Sequence, residues 1–268
     1  MQFWKWHVLG NSYLLLERGE LGRPLDPELV SRLCDIRYGV GSDGVVEVVS
    51  ADGAAAELVI WNPDGTVAEF SGNGSRIAAA WLAGRAGAER VTVSTGGRAY
   101  PAAARGDGTI AMAVGDVEVG EIETVEIEGE RIELTVVSVG NPHAVVRGEL
   151  ERADLLRLGP RLEHAGRFPE RTNVQLVRVD GLHEVSALVW ERGAGETSAS
   201  GSSAVAVASA AIANGWCESP VTVRMPGGDL LVELDEENRL TLVGPAEEIC
   251  EGELRLDRAG SPPSTGAS

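Results

Sequence analysis

The chain has 268 residues, enough for one large or two ordinary domains with a full core. Hydrophobic residues make up 43% and charged residues 24%, the composition of a soluble globular protein. A formal charge of -18 repels phosphate backbones and anionic lipids, which argues against nucleic-acid and membrane partners.

The N-terminal segment has no basic stretch leading into a short apolar core and cleavage site. No apolar run approaches about 18 residues, so a cytoplasmic protein without a membrane span is expected. Lys5 is the single lysine. It lies in a strand-like segment with no phosphate-binding loop nearby, which argues against a pyridoxal phosphate enzyme, because that cofactor is held as a lysine Schiff base. The first helical signal is "DPELVSRLC" (26–34), with an Asp cap and Pro at the first helical position. A second helix is expected over 73–83, ending at Gly84, and "VTVST" (91–95) alternates as a strand. "VEIEGERIELTVV" (125–137) reads as a hairpin turning at Glu128-Gly129. "PRLEHAG" (160–166) occupies the place of the first helix in the second half of the chain. Another helix is expected over 202–214, ending at Gly215, and "DLLVELDEENRLTLV" (229–243) reads as a second hairpin. "EEICEGEL" (247–254) is a final strand expected to return to the first domain, and the Pro/Ser/Gly-rich tail 255–268 is expected to be disordered. Cys34, Cys217 and Cys250 are few, odd in number and without metal-ligand spacing. They fit small buried or half-buried residues in a reducing compartment, not disulfides or a metal site.

The chain repeats itself. "VLGNSYLLLE" (8–17) resembles "SVGNPHAVVR" (138–147), with Gly10-Asn11 meeting Gly140-Asn141 at an offset of 130. Arg37 and Tyr38 meet Arg167 and Phe168 at the same offset, and Trp61 meets Trp190 at 129. Ser71-Gly72 meets Ser200-Gly201, again at 129. Four matches in one order at a nearly constant offset indicate a duplicated unit and two pseudo-symmetric domains, 1–117 plus 246–254 and 118–245. The two long helices are apolar all round, so they are expected to be buried. The fold class that follows is α/β of the α+β kind: two domains, each a curved, mainly antiparallel sheet around a central buried helix.

Each buried helix begins at a glycine-rich turn after a serine, "SGNGSR" at 71–76 and "SGSSA" at 200–204. A helix N-terminus offers free N–H groups and the positive end of a dipole, a ready site for a carboxylate or phosphate. Gly72, Gly74 and Gly201 let a ligand approach the backbone. Paired across a cleft, Ser71 and Ser200 would flank a ligand on opposite faces, the geometry that inversion at carbon requires. Serine is also a favoured N-cap, so on spacing alone the two serines are equally read as caps.

"MQFWKWHVLGNS", "LCDIRYGVGSDG", "WNPDGTVAEFSGNGSR", "VGNPHAVV", "RTNVQLV" and "WERGAGETSASGSSA" together resemble the diaminopimelate epimerase family over about residues 1–254. The resemblance implies a pyridoxal-independent amino-acid epimerase interconverting LL- and meso-diaminopimelate in lysine and peptidoglycan synthesis. No cofactor and no metal are implied, and the family's habit of dimerising suggests a homodimer. It implies that Asn11, Asn62, Asn141 and Asn173 hold amino and carboxyl groups of the substrate. It places Glu191 and Arg192 at the wall of the second domain, with Arg192 as a bidentate fork on the distal carboxylate. Gly72-Asn73 and Gly201-Ser202 would give N–H groups to the reacting α-carboxylate, and His143 and Glu191 would tune the two catalytic groups. The departures are specific. The family has cysteine where this chain has Ser71 and Ser200, and often where it has Ile77 and Val205. "HVLGNS" stands where "HGLGND" is usual. Three readings follow: an epimerase working through hydroxyls, a single-base isomerase or lyase on the same scaffold, or a protein that binds an amino dicarboxylate without turnover.

Overall fold

The computed structural model describes residues 1–255 apart from Arg23, Glu69, Phe70 and Asn238. The expectation for the tail therefore lies, from 256 onward, outside the described residues. The first half of the chain forms β1 (Gln2–Val8), β2 (Asn11–Glu17), α1 (Pro27–Cys34), β3 (Val45–Asp52), β4 (Ala55–Trp61), β5 (Val67–Ala68), α2 (Gly72–Ala86), β6 (Arg90–Thr95), β7 (Arg98–Ala104) and β8 (Thr109–Ala113). Next come β9 (Glu118–Ile127), β10 (Glu130–Ser138), β11 (Pro142–Arg147), α3 (Arg152–Glu163), β12 (Asn173–Gly181), β13 (Glu184–Glu191) and β14 (Gly195–Thr197). The last elements are α4 (Gly201–Ala213), β15 (Val221–Met225), β16 (Gly228–Leu234), β17 (Leu240–Pro245) and β18 (Glu247–Glu253).

The duplication is written in the strand register. Parallel β2 and β3 set Leu14 opposite Val45, and parallel β11 and β12 set Ala144 opposite Val174. Val45 then faces Trp61 across β3 and β4, while Val174 faces Trp190 across β12 and β13. Parallel β4 and β6 are matched by parallel β13 and β15. The chain closes on its own beginning: β18 pairs antiparallel with β1, as β9 pairs with β10. Antiparallel β8 and β17 join the two sets of strands, with Met112 opposite Leu242.

Each sheet wraps one helix and carries another outside. Ile77, Ala78, Trp81 and Leu82 of α2 are buried with Val46, Ile60, Val93 and Met112. Ala204 to Ala208 of α4 are buried with Val145, Val177, Val189 and Val223. Both helices are dominated by small and aliphatic side chains, so each is largely buried up to its last turn. The outer helices are amphipathic instead. α1 buries Leu29, Val30 and Leu33, and α3 buries Leu155, Leu158 and Leu162. The Asp26 carboxylate caps α1 by accepting from Leu29 N at 2.8 Å. Glu128 and Gly129 both have positive φ, 52° and 82°, as a tight two-residue hairpin turn demands.

Several boundaries differ from the sequence reading: β9 begins at Glu118, seven residues before the expected 125, and two helices differ in extent. The helix of the second half starts at Arg152, well before the expected segment at 160, and Pro160 lies inside it. A proline so near the end removes a single helical bond, while the Leu155/Leu158/Leu162 stripe holds the helix to its sheet. α2 continues through Gly84 to Ala86, because Gly87, at φ 60°, supplies the left-handed residue that ends it. Among the described residues no helix is long and apolar enough to cross a membrane.

Candidate functional site

The two buried helices meet head to head. A Cβ placed on Gly72 would lie 3.5 Å from Gly201 Cα, and one placed on Gly201 would lie 3.5 Å from Gly72 Cα. Any larger residue at either head would fill the space where the two N-termini face one another. Two positive dipole ends brought this close favour an anion between them.

The serines before the helices differ in their bonding. Ser71 is the N-cap of α2, and its Oγ accepts from Gly74 N at 3.1 Å. The same Oγ shares a hydrogen bond with the Tyr13 hydroxyl, also at 3.1 Å. Burial pushes the Tyr13 phenol up to about 12, and the bond to Ser71 opposes that push only in part. Ser200 is the N-cap residue of α4 by backbone geometry, but its side chain makes no cap bond. Its hydroxyl instead lies near enough to the Glu191 carboxyl to favour the ionised form. Burial raises the Glu191 carboxyl above its ordinary range, and Ser200 works against the rise. Each serine thus has one titratable neighbour, a phenol on one side and a carboxyl on the other. Because Ser200 does not cap, the first-turn N–H groups of α4 lack a side-chain acceptor.

His143 is fully buried. Its Nδ1 accepts from Gln175 Nε2 at 3.0 Å, so its Nε2 carries the proton and donates to Asn141 Oδ1 at 2.8 Å. Gln175 Nε2 also donates to Ser203 Oγ at 3.0 Å in the first turn of α4. Burial first, and then the Arg192 charge, pull the His143 pKa down to about 3. A neutral ring with both nitrogens engaged braces Asn141 against the head of α4.

Asn173 lies beside His143 in the parallel register of β11 and β12. Its Nδ2 donates to Pro142 O at 3.0 Å, and its Oδ1 accepts from Arg192 N at 3.0 Å. Asn173 therefore ties the start of β11 to the turn that carries Arg192. The Trp190 indole donates to Glu163 Oε2 at 2.8 Å, and Gly193 N donates to Glu163 Oε1 at 2.9 Å, fixing that turn from the other side. In the first half the Trp61 indole donates to buried Glu47 at 3.0 Å, which anchors the strand end before Asn62. Asn62 Nδ2 donates to Thr66 Oγ1 at 2.9 Å. Arg192 is exposed, with Nη1 donating to Glu170 O at 3.2 Å. Asn11, at the start of β2, has a buried Oδ1 without a partner. Asn73 Oδ1 accepts from Arg76 Nη2 at 2.9 Å, and Ser202 is half-buried in the first turn of α4.

A cavity of about 620 Å³ opens between the halves, with Asn62, Asn141 and Arg192 in its wall beside Arg98, Tyr100 and Asp116. Ser71 and Ser200 are not part of that wall; Ser71 is half-buried and Ser200 buried. Tyr13, Gln175 and Arg76 are the polar residues of this region that the sequence reading missed. For Tyr13 a signal existed: at the offset of 130 it occupies the position of His143.

The family model for diaminopimelate epimerase matches residues 3–120 and 135–249. The chain belongs to the diaminopimelate epimerase family. A diaminopimelate epimerase of Desulfitobacterium hafniense is 36% identical over 283 residues, covering 96% of this chain and 99% of that one. Two solved structures share the fold. A probable proline racemase from Agrobacterium radiobacter aligns with a TM-score of 0.73 at 17% identity, over 97% of this chain and 94% of its own. A phenazine biosynthesis protein of the PhzF family from Bacillus anthracis aligns at 0.70 and 14%, over 95% and 99%. Membership of this family makes the chain an isomerase of the amino-acid epimerase class. Likeness to the two structures speaks for the fold alone.

Proposed function

We propose that the chain binds diaminopimelate between the heads of α2 and α4 and inverts one α-carbon without pyridoxal phosphate, through hydroxyls in place of thiols. The observation that carries this reading is the head-to-head meeting of Gly72 and Gly201, with Ser71 bonded to Tyr13 and Ser200 beside the Glu191 carboxyl that it helps to ionise. The duplicated units, 1–117 with 246–254 and 118–245, each contribute one helix head and one serine. N–H groups at Gly72-Asn73 and Gly201-Ser202 take the α-carboxylate. The unpartnered Asn11 Oδ1 accepts from the α-ammonium. Arg192, held by Asn173 and Glu163 through the backbone of its turn, takes the distal carboxylate, and Asn62 and Asn141 line the space between. His143 positions Asn141.

A serine hydroxyl does not ionise at neutral pH, so each needs a partner that moves its proton. On one face Ser200 takes the α-hydrogen as ionised Glu191 takes the hydroxyl proton, which Glu191 later releases to solvent. On the other face Ser71 gives its proton to the carbanion and is refilled from the Tyr13 phenol, which recovers a proton from solvent. This scheme needs no cofactor. The same reading makes the protein a cytoplasmic enzyme and, by family resemblance, a homodimer.

The test is incubation with LL-diaminopimelate in deuterium oxide, following α-proton exchange and the meso isomer by NMR. Exchange accompanied by inversion supports the reading, and no exchange over hours overturns it. Exchange without inversion would select single-base chemistry at Ser200 and Glu191. The unequal partners favour that second reading, because Tyr13 is a far weaker acid than the carboxyl opposite it.

A further inference from the structure

Arg76 has no part in the scheme above. It lies one turn inside α2 and is 0% exposed. Nη2 donates to Asn73 Oδ1 at 2.9 Å, while Nε and Nη1 have no partner. Among the described residues no carboxylate forms an ion pair with it. Burial brings its pKa down to about 10, so it remains a cation at neutral pH. A buried charge is normally paired, because the attraction of the partner offsets part of the lost hydration. Among the described residues Arg76 has no such partner, and the strand beside the guanidinium carries a glycine. A Cβ on Gly244 of β17 would come within 3.0 Å of Arg76 Nη1.

The direction of the side chain shows what the charge serves. Asn73, which Arg76 holds, stands in the first turn of α2. Its Oδ1 is 3.8 Å from the place a Cβ would take on Gly201, at the head of α4. Arg76, Asn73 and the two helix heads therefore form one continuous positive region that spans both halves of the molecule. With its oxygen fixed on the guanidinium, the Asn73 amide turns its Nδ2 away from Arg76.

We infer that Arg76 is a positioning residue for the carboxylate bound between the helix heads: it fixes Asn73 through the amide oxygen and holds behind it a buried positive charge that the ligand carboxylate neutralises. The inference rests on the reading that a carboxylate binds there. It gives the free protein an uncompensated charge and gives the ligand the counter-charge. A strut that merely filled space would behave in the opposite way, supporting the free fold and ignoring the ligand.

The experiment compares wild type, Arg76→Met and Arg76→Lys by thermal unfolding without ligand and by calorimetric titration with meso-diaminopimelate. Arg76→Met is expected to melt at or above the wild-type temperature when free, and to bind about 10- to 100-fold more weakly, the scale of a lost charged contact. Arg76→Lys, which keeps the charge without the planar fork, is expected to fall between the two in affinity. A free Arg76→Met protein that melts several degrees lower, or fails to fold, while Arg76→Lys binds as wild type does, overturns the inference. If wild type itself does not bind meso-diaminopimelate, the substrate reading fails, and sulfate replaces it as the anion probe. Sulfate stabilisation that is weaker in Arg76→Met than in wild type then supports the role of Arg76, and equal stabilisation of the two overturns it.

Discussion

Acidification should reach this fold through His143. The ring is fully buried, neutral and bonded through both nitrogens, with its pKa drawn down to about 3 from the ordinary imidazole value of about 6.5. A group whose folded pKa is depressed gives stability that is present above its unfolded pKa and is lost as pH falls toward the folded one. The window here runs from about pH 6.5 down to about pH 3. At pH 5 the unfolded chain has gained a proton at this site and the folded chain has not. That is about 1.5 pH units below the unfolded pKa, worth roughly 2 kcal/mol at about 1.36 kcal/mol per unit. For a domain of this size the loss corresponds to about 4–8 °C in melting temperature. The assay is urea unfolding of wild type and His143→Gln at pH 7 and pH 5, followed by circular dichroism. His143→Gln is expected to be less stable at pH 7, because it breaks the bonds to Asn141 and Gln175, and to lose about 2 kcal/mol less than wild type between the two pH values. Equal acid sensitivity in the two proteins would refute the argument, since every other titrating group is common to both.

Three further outcomes follow from the site. Ser71→Cys combined with Ser200→Cys should raise α-proton exchange in deuterium oxide by roughly 10²- to 10⁴-fold, the usual span of general acid–base assistance; an unchanged rate would mean the surrounding groups are misplaced for the chemistry. Exchange by wild type should rise with pH through a midpoint above the ordinary carboxylate range, because Glu191 must lose its proton to act and burial holds the proton on. Glu191→Gln should remove that step, and a profile identical to wild type would sink the role of the carboxylate. Gly72→Ala meets contacts no closer than 3.5 Å, so stability should hold within about 0.5 kcal/mol. Its methyl nonetheless enters the gap between the helix heads, and diaminopimelate binding measured by calorimetry should weaken at least about tenfold; undiminished affinity would place the carboxylate elsewhere.

The features legible in the sequence were those that repeat or alternate. Val45 opposite Trp61 and Val174 opposite Trp190 are the same contact twice, and the offset of 129 between Trp61 and Trp190 announced it. The apolar surroundings of α2 and α4 followed from helices with no polar face. Boundaries were harder where two residues of one type compete. Gly84 and Gly87 are both helix-ending glycines in isolation, and only the left-handed backbone at Gly87 distinguishes them. Pro160 looked like a beginning and lies near an end, because the leucines that hold α3 come before it. Single polar residues inside apolar runs break no alternation, and of the three missed here only Tyr13 was marked, by the repeat that sets it against His143. Tyr13, Gln175 and Arg76 each sit among buried neighbours, and their importance lies in partners that are remote in sequence.

The duplication explains the shape of the site better than it explains its chemistry. Equivalent strands carry Tyr13 and His143, yet Tyr13 bonds to the serine of its own half while His143 turns to Asn141 and Gln175. Equivalent strand ends carry Asn62 and Glu191, and only Glu191 reaches a serine. Backbone symmetry thus brings two helix heads together with a serine before each, while the side chains behind them are a phenol pushed up to about 12 and a carboxyl raised by burial. A thiol in each position would need little from those partners, because it ionises near neutral pH at a helix N-terminus. With hydroxyls the partners decide the direction. The face served by Ser200 and Glu191 can accept a proton, and the face served by Ser71 and Tyr13 can return one. The ratio of kcat/KM for the two directions is fixed by the equilibrium constant, so the inequality should show at saturation: kcat should be higher for the isomer whose α-hydrogen points at Ser200, and initial rates of solvent-deuterium uptake by saturating LL- and meso-diaminopimelate are the measure of that difference.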